Sequence, residues 1–516
     1  MAYPSQNWSA PANLVFLWSA RYREAAPLTL HQLPGSTVFT LFDRPTPDRS
    51  GLPRRSLLNI GGMSLLGWSL PQMLRRLGSA EVPPLRRPGF GSAKSVLLVY
   101  LQGSPSHIDL WDPKPQAPAE IRGEFKPIST RTPGLQLGEV LPQLAKQSDH
   151  YTVVRSIGVD PKGLRNHGAA IYMLMTGHNP TNFTPTGLAV APTREDLPSL
   201  GANIARYRAA SRGSFSNVAI GAPVMEGRIV GVGQSAGLHG AAYDPYTLYD
   251  DATLPLAPSG FTLPSDMTLE RIASRLDLRA VVDARYQQIE KSNTTFDGFY
   301  DQAMALLQSR QALAAFRLRE EPVRLRERYG MTRFGQSLLL ARRLIEADTR
   351  FVQVTWPGRS DEEPVPGPDG SWDTHRNNFP MLRDHRCPVL DQSLSALLED
   401  LAQRGLLETT LVVAIGEFGR SPRIGTQTTN NVGPGGRDHW PECYSFLIAG
   451  GGISGGRSYG RSDHHGAWPE DDAMHPYDLL ATLYHAIGID PATEYLDNLN
   501  RPRRLVESGS PVSALF

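Results

Sequence analysis

Apolar positions along this chain follow two rhythms. Five short runs, VLLVYL (96–101), YTVVRSI (151–157), RFVQVTW (350–356), TLVVAIG (410–416) and YSFLIAG (444–450), are almost unbroken and rich in β-branched or aromatic residues. That is the pattern of strands covered on both faces of a mostly parallel sheet. Between them the period lengthens. In VLDQSLSALLEDLAQRG, leucines 390, 394, 397, 398 and 401 form one stripe, and Gly405 marks the stop, as in a helix with one face on a core. FGQSLLLARRLIEA (334–347) repeats the theme. NHGAAIYMLMTG (166–177) reads as a loop entering an amphipathic helix, with His167 in the first turn. Unpaired N–H groups and partial positive charge at a helix start disfavour imidazolium, so a neutral His167 is expected, suited to a metal ligand or a nucleophile. Residues 190–330 are less regular and are expected to form an insertion over the sheet. The fold class that follows is α/β: a mostly parallel central sheet with helices on both faces and an insertion subdomain.

The first 53 residues show little periodicity and form a poorly organised leader. RRSLLNIGGMSLLGWSLPQMLRR then places Arg54 and Arg55 before a broken apolar run of signal-sequence length, too short to span a bilayer comfortably. Residues 54–80 therefore read as a twin-arginine-type signal, with cleavage near Ala80, or as an internal hydrophobic helix. One domain is expected from residue 90 to 510. No internal repeat is visible. The 52 basic and 51 acidic residues nearly cancel, which gives no reason to expect nucleic acid or an anionic membrane as partner. Cys387 and Cys443 are too few for a disulfide framework, although one bridge between them stays open.

In open parallel sheets, ligands bind beyond the carboxyl ends of the strands. The polar groups collect there. Run 96–101 is followed by His107 and Asp109, run 350–356 leads to Asp373 and His375, and run 410–416 empties into Glu417 and Arg420. Asp438 and His439 come next, then Asp463, His464 and His465. Such mixed N and O donors suit Zn²⁺ or Mn²⁺. Each also has a plainer reading. His107 fits a turn, Asp373 and His375 a loop hydrogen bond, Asp438 a prop for its neighbour's ring, and the two histidines at 464–465 a solvated loop. Arg420 could simply pair with Glu417.

The segments LQGSPSHIDLWDPKPQAPAEIRGEFKPI, HGAAIYMLMTG, FGQSLLLARRLIEA, WDTHRNNF, GEFGRSPR, GGRDHWP and HPYDLLATLYHAIGID resemble, in this order and over roughly residues 54–510, the bacterial family called domain of unknown function 1501. The resemblance implies export by the twin-arginine route and an alkaline phosphatase/sulfatase-like fold. It also implies that His167 opens the helix where sulfatases carry their nucleophile, with Thr176-Gly177 closing it. Gln102 falls where the superfamily has a metal-binding aspartate, Glu417-Phe418 where it has an Asp-His pair, and His439 on its final histidine. No Cys-x-Pro-x-Arg signature is present, so formylglycine chemistry is not available.

The expectation is an exported, periplasmic or extracellular, metal-dependent hydrolase acting on a phosphate or sulfate ester. One zinc or manganese ion would be held by Asp373, His375 and His439, with Glu417 or Asp438 completing or supporting the site. Arg420 would neutralise oxyanion charge, His167 would attack or act as general base, and His107, Asp109 and His465 would lie on the substrate side. The alternative is a non-catalytic protein on the same scaffold that recognises sulfated or phosphorylated polysaccharide. A structural member of an exported complex is a third reading. The substrate is a small-molecule or polysaccharide ester in either of the first two, with no stable transmembrane anchor.

Overall fold

In this computed structural model the described residues are 87–516, except 160–164, 181–191, 227–228, 249–270, 272–308, 357–370 and 430–431. The stretches read above as a leader (1–53) and as a signal (54–80) lie outside them. Eight strands form the central sheet: β1 (Ser95–Tyr100), β2 (Tyr151–Ile157), β3 (Asn217–Ile220), β4 (Tyr246–Leu248), β5 (Phe351–Thr355), β6 (Thr410–Ile415), β7 (Tyr444–Ala449) and β8 (Arg457–Tyr459). Their order is β8-β2-β7-β6-β1-β5-β3-β4. All five apolar runs of the sequence are in it, four of them side by side at its centre with β2 next.

Pairing is parallel between β1 and β6, β1 and β5, β3 and β5, β3 and β4, and β2 and β8. It is antiparallel on both sides of β7. The sheet is thus mostly parallel, with one reversed strand. A strand buried on both faces carries no mark of its direction, which is why the run 444–450 could not announce this.

Successive side chains of a strand point to opposite faces, and two apolar layers result. Leu97, Val99 and Leu101 join one layer with α3 (Arg333–Glu346) and α4 (Cys387–Gln403). Val96, Leu98 and Tyr100 join the other with α1 (His167–Thr176), α2 (Leu200–Tyr207) and α5 (Pro476–Ala486). Helices therefore cover both faces. The leucine stripe of α4 is wholly buried, and Gly405 after it takes a left-handed φ of 69°. α1 departs from expectation: residues 168–176 are all buried, so this helix is enclosed all round rather than amphipathic.

Within the stretch read as an insertion, β3 and β4 extend the sheet at its edge. Cys387 and Cys443 are both buried and unpaired. Among the described residues no helix is long and apolar enough to cross a membrane.

Candidate metal centre

The carboxyl ends of β1, β5 and β6 open on the same rim. There the backbones meet closely. Gly103 has a φ of 93°, and a Cβ on it would sit 2.6 Å from the Asp373 nitrogen, so the loop after β1 runs directly against residues 371–373. Trp372 N–H donates to the Gln102 carbonyl at 2.9 Å. A Cβ on Gly436 would come within 1.8 Å of the His375 oxygen, which fixes the 433–439 loop onto the 373–376 segment. Arg420 and His439 face each other in a short antiparallel pairing. At the start of α1, the Asn166 side chain caps the helix by accepting from Ala169 N–H at 3.1 Å.

These contacts bring His167, Asp373, His375 and His439 together. His167 Nδ1–H donates to Glu417 Oε1 at 2.6 Å, while its Nε2 lies 3.4 Å from Asp373 Oδ2 and has no hydrogen-bond partner although buried. His439 Nδ1–H donates to the Arg165 carbonyl at 2.6 Å. A carbonyl only accepts, so the proton is on Nδ1 and the Nε2 lone pair is left facing Asp373 Oδ1 at 3.3 Å. His375 Nε2 is 3.0 Å from His439 Nε2 and 3.0 Å from Asp373 Oδ1. Two overlapping donor groups, His167–Asp373–His439 and His375–Asp438–His439, each have ligand atoms within 4.8 Å of one another. Donor atoms around a tetrahedral zinc with bonds of about 2.0–2.1 Å lie roughly 3.4 Å apart. The orphaned Nε2 of His167 and the mixed N and O set fit such an ion.

The surrounding groups are holders. Glu417 also accepts from Gly103 N–H at 3.0 Å and from Tyr100 O–H at 2.8 Å, so the carboxylate that orients the His167 ring is itself held in place. Asp438 accepts from Thr428 N–H, Thr429 N–H, Thr429 Oγ1–H and His439 N–H, and its Oδ1 lies 3.3 Å from His375 Nδ1. Arg420 is fully buried. Its N–H groups go to the carbonyls of Ser104, Gly103 and Arg437 and to Asp373, so it braces Asp373 rather than pairing with Glu417.

Electrostatics follow from this packing. Burial works against a charge on His167, but the carboxylates of Asp373 and Glu417 outweigh it and raise its pKa to about 10. Without an ion His167 is therefore a cation, contrary to the neutral ring expected from the helix start. Its two carboxylates are stronger than the half-charge of a helix end. Burial would raise Asp373, yet chiefly the Arg420 charge and then His167 hold it well below the usual carboxylate range. Burial would likewise raise Glu417, and its bond to His167 lowers it. His375 is raised by Asp373 and Asp438 against burial. His439 is lowered to about 4 by burial and by the neighbouring His167 charge.

The remaining candidates lie elsewhere. His107 is buried, its Nε2–H donating to the Gly466 carbonyl at 2.7 Å, and burial lowers its pKa to about 4. Asp109 is paired at 2.8 Å with the buried Arg437 and accepts from Asn378 Nδ2–H. Both are parts of the interior. The His465 ring lies tilted against that of His464, ring centroids 3.7 Å apart, in a turn whose Ala467 carbonyl accepts from Trp440 Nε1–H. Gln102 Nε2–H donates to the Met225 carbonyl. Tyr100 and Arg165 were not singled out from the sequence. The rule of strand ends could have marked Tyr100, the last residue of β1, and Arg165 stands two residues before His167.

No curated protein matches the sequence. Among solved structures the chain is similar to a sulfatase from Pseudoalteromonas sp. at 13% identity, covering 85% of this chain and 72% of that one with a TM-score of 0.34. It is similar to a protein in the alkaline phosphatase superfamily from Vibrio parahaemolyticus at 11% identity, 78% and 69% coverage and a TM-score of 0.35. A phosphonate monoester hydrolase from Silicibacter pomeroyi matches at 14% identity, 81% and 76% coverage and a TM-score of 0.34. Residues 93–516 match the model of the family described as protein of unknown function, DUF1501, and the chain belongs to that family.

Proposed function

We propose that the protein is a metal-dependent hydrolase of phosphate or sulfate esters, with one zinc or manganese ion held by Asp373, His439 and His375 and with His167 as a further ligand. The observation that carries this reading is the tethering of two rings. His167 and His439 each have Nδ1–H committed to an oxygen acceptor and turn Nε2 toward one carboxylate, Asp373. Two ring nitrogens aimed at one carboxylate call for a cation between them, either protons or a metal. A divalent cation there supplies Lewis-acid polarisation of an ester oxygen. The chain's own residues do the rest: Glu417 and the Arg165 carbonyl fix the rings, Asp438 steadies His375, and Arg420 keeps Asp373 ionised. Arg420 is thus a positioning residue rather than an oxyanion donor, because its N–H groups are already engaged.

A second reading, binding of an anionic ester without turnover, is favoured by the same tether. His167, held at Nδ1 by Glu417 with Nε2 facing the Asp373 carboxylate, is poorly placed to attack. Metal analysis separates these ideas. Zinc or manganese is expected in stoichiometric amount and is expected to fall at least about tenfold in Asp373→Ala and in His439→Ala, as removal of a direct ligand requires. Turnover of aryl phosphates, phosphodiesters or aryl sulfates by the loaded protein favours the hydrolase, and ester binding without turnover favours the binding protein. Folded protein that takes up no metal would remove both the centre and the chemistry.

A further inference from the structure

On the α1/α2 side of the sheet, over the face of β3, β4 and β5, lies a cavity of about 410 Å³, within the size range of small-ligand sites. Its walls are largely apolar, with Met175, Leu200, Phe351 and Ala219 among them. Among its described lining residues only Asp244 is ionisable, and it is paired with Arg194 at 2.7 Å. The one ionisable group among the described lining is thus already paired, which suits a neutral ligand.

Two amides break the apolar pattern. β5 alternates, and Phe351 points into the apolar layer with α1, α2 and α5. Gln353 and Thr355, on the same face by the strand period, line the cavity. Gln353 is only 8% exposed. One end of its amide is used, Nε2–H donating to Thr355 Oγ1 at 3.1 Å, and among the described residues its other end has no partner. Asn217, on β3, is 5% exposed. Its Nδ2–H donates to the Tyr243 carbonyl at 3.1 Å, which fixes the amide so that Oδ1 is the end without a partner among the described residues. Gly201 makes room for that oxygen, since a Cβ there would lie 2.5 Å from it. By contrast the Gln234 amide, also on the wall, is spent on Val224 and Gly231. Buried amide groups in native interiors are normally satisfied. Two whose second end has no partner among the described residues, on neighbouring strands and lining one cavity, leave that end open to a ligand from outside.

We propose that this cavity is a binding site for a small, neutral, mostly apolar organic molecule carrying an O–H or N–H donor, which Asn217 Oδ1 accepts while the Gln353 amide meets a second polar atom. The site is separate from the metal centre. α1 begins at His167 and carries Met175 on the cavity wall, about 12 Å further along its axis at 1.5 Å per residue. The inference does not depend on the hydrolase reading, and a failure of either leaves the other standing.

The test is calorimetric titration of the full chain with 4-tert-butylphenol, cyclohexanol and indole, and with 4-tert-butylanisole as the analogue lacking a donor. At least one donor-bearing probe is expected to bind, and the anisole about tenfold or more weaker than the phenol. Ala219→Phe fills the cavity and is expected to weaken binding by about tenfold or more, with metal content unchanged. Thr247→Trp also fills it, from an exposed position on the edge strand β4, and decides the matter should the first variant fail to fold. No binding of any donor-bearing probe, equal binding of phenol and anisole, or unchanged binding in a folded filled variant would each overturn the proposal.

Discussion

His167 sits between two carboxylates, and that position makes its protonation a structural matter. Its folded pKa of about 10 stands above the usual histidine value of about 6.5. The proton it holds therefore stabilises the metal-free fold fully below about pH 6.5, and this stabilisation is lost as pH rises through about 10. Urea unfolding of metal-free protein is expected to show stability falling across that window. In Glu417→Gln, with one carboxylate removed, the fall is expected to start at the same pH but to be smaller and to end at lower pH. A flat profile from pH 6.5 to 10 in both proteins would contradict this account. Residue types were legible in the sequence at this scale, but their ties were not. Which nitrogen of His439 is protonated depends on the carbonyl of Arg165, hundreds of positions away. The burial of Asp109 depends on Arg437 in the same way, and no local pattern carries such information.

At the level of elements, the short loops do the positioning. Gly436 packs so tightly on His375 that even a methyl group would strike backbone. Gly436→Ala is expected to lose most of its bound metal while the core strands stay folded, at an overpacking cost of about 1–3 kcal/mol. Gly435→Ala is the control. A Cβ there meets nothing within 4 Å, so apart from the strain of its positive φ it should keep the metal. Equal metal content in the two variants would show that the contact is not decisive. The five long apolar runs were readable as strands because burial on both faces leaves them nearly uniform. β3, β4 and β8 were not, because four residues or fewer give periodicity too little to work with. α1 misled for a related reason: a helix enclosed on every side loses the polar stripe that identifies one.

For the molecule as a whole, the twin-arginine reading of residues 54–80 is a proposal. Replacing Arg54 and Arg55 with lysine is expected to trap full-length precursor inside the cell, read by fractionation and immunoblot. Undiminished export of that variant would refute the signal. The match to the family begins at residue 93, well inside the 54–510 span of the resemblance.

The reversal of β7 has a further effect on how the rim is furnished. Parallel neighbours require the chain to return to the opposite end before each new strand begins. Because β7 enters from the end where β6 leaves, the passage from Gly416 to Cys443 never has to cross the body of the protein. It can linger at one border and deliver Glu417, Arg420, Asp438 and His439 from a single uninterrupted excursion. A turned-around strand thus concentrates in one loop a set of groups that a uniformly oriented sheet would have to gather from separate crossings.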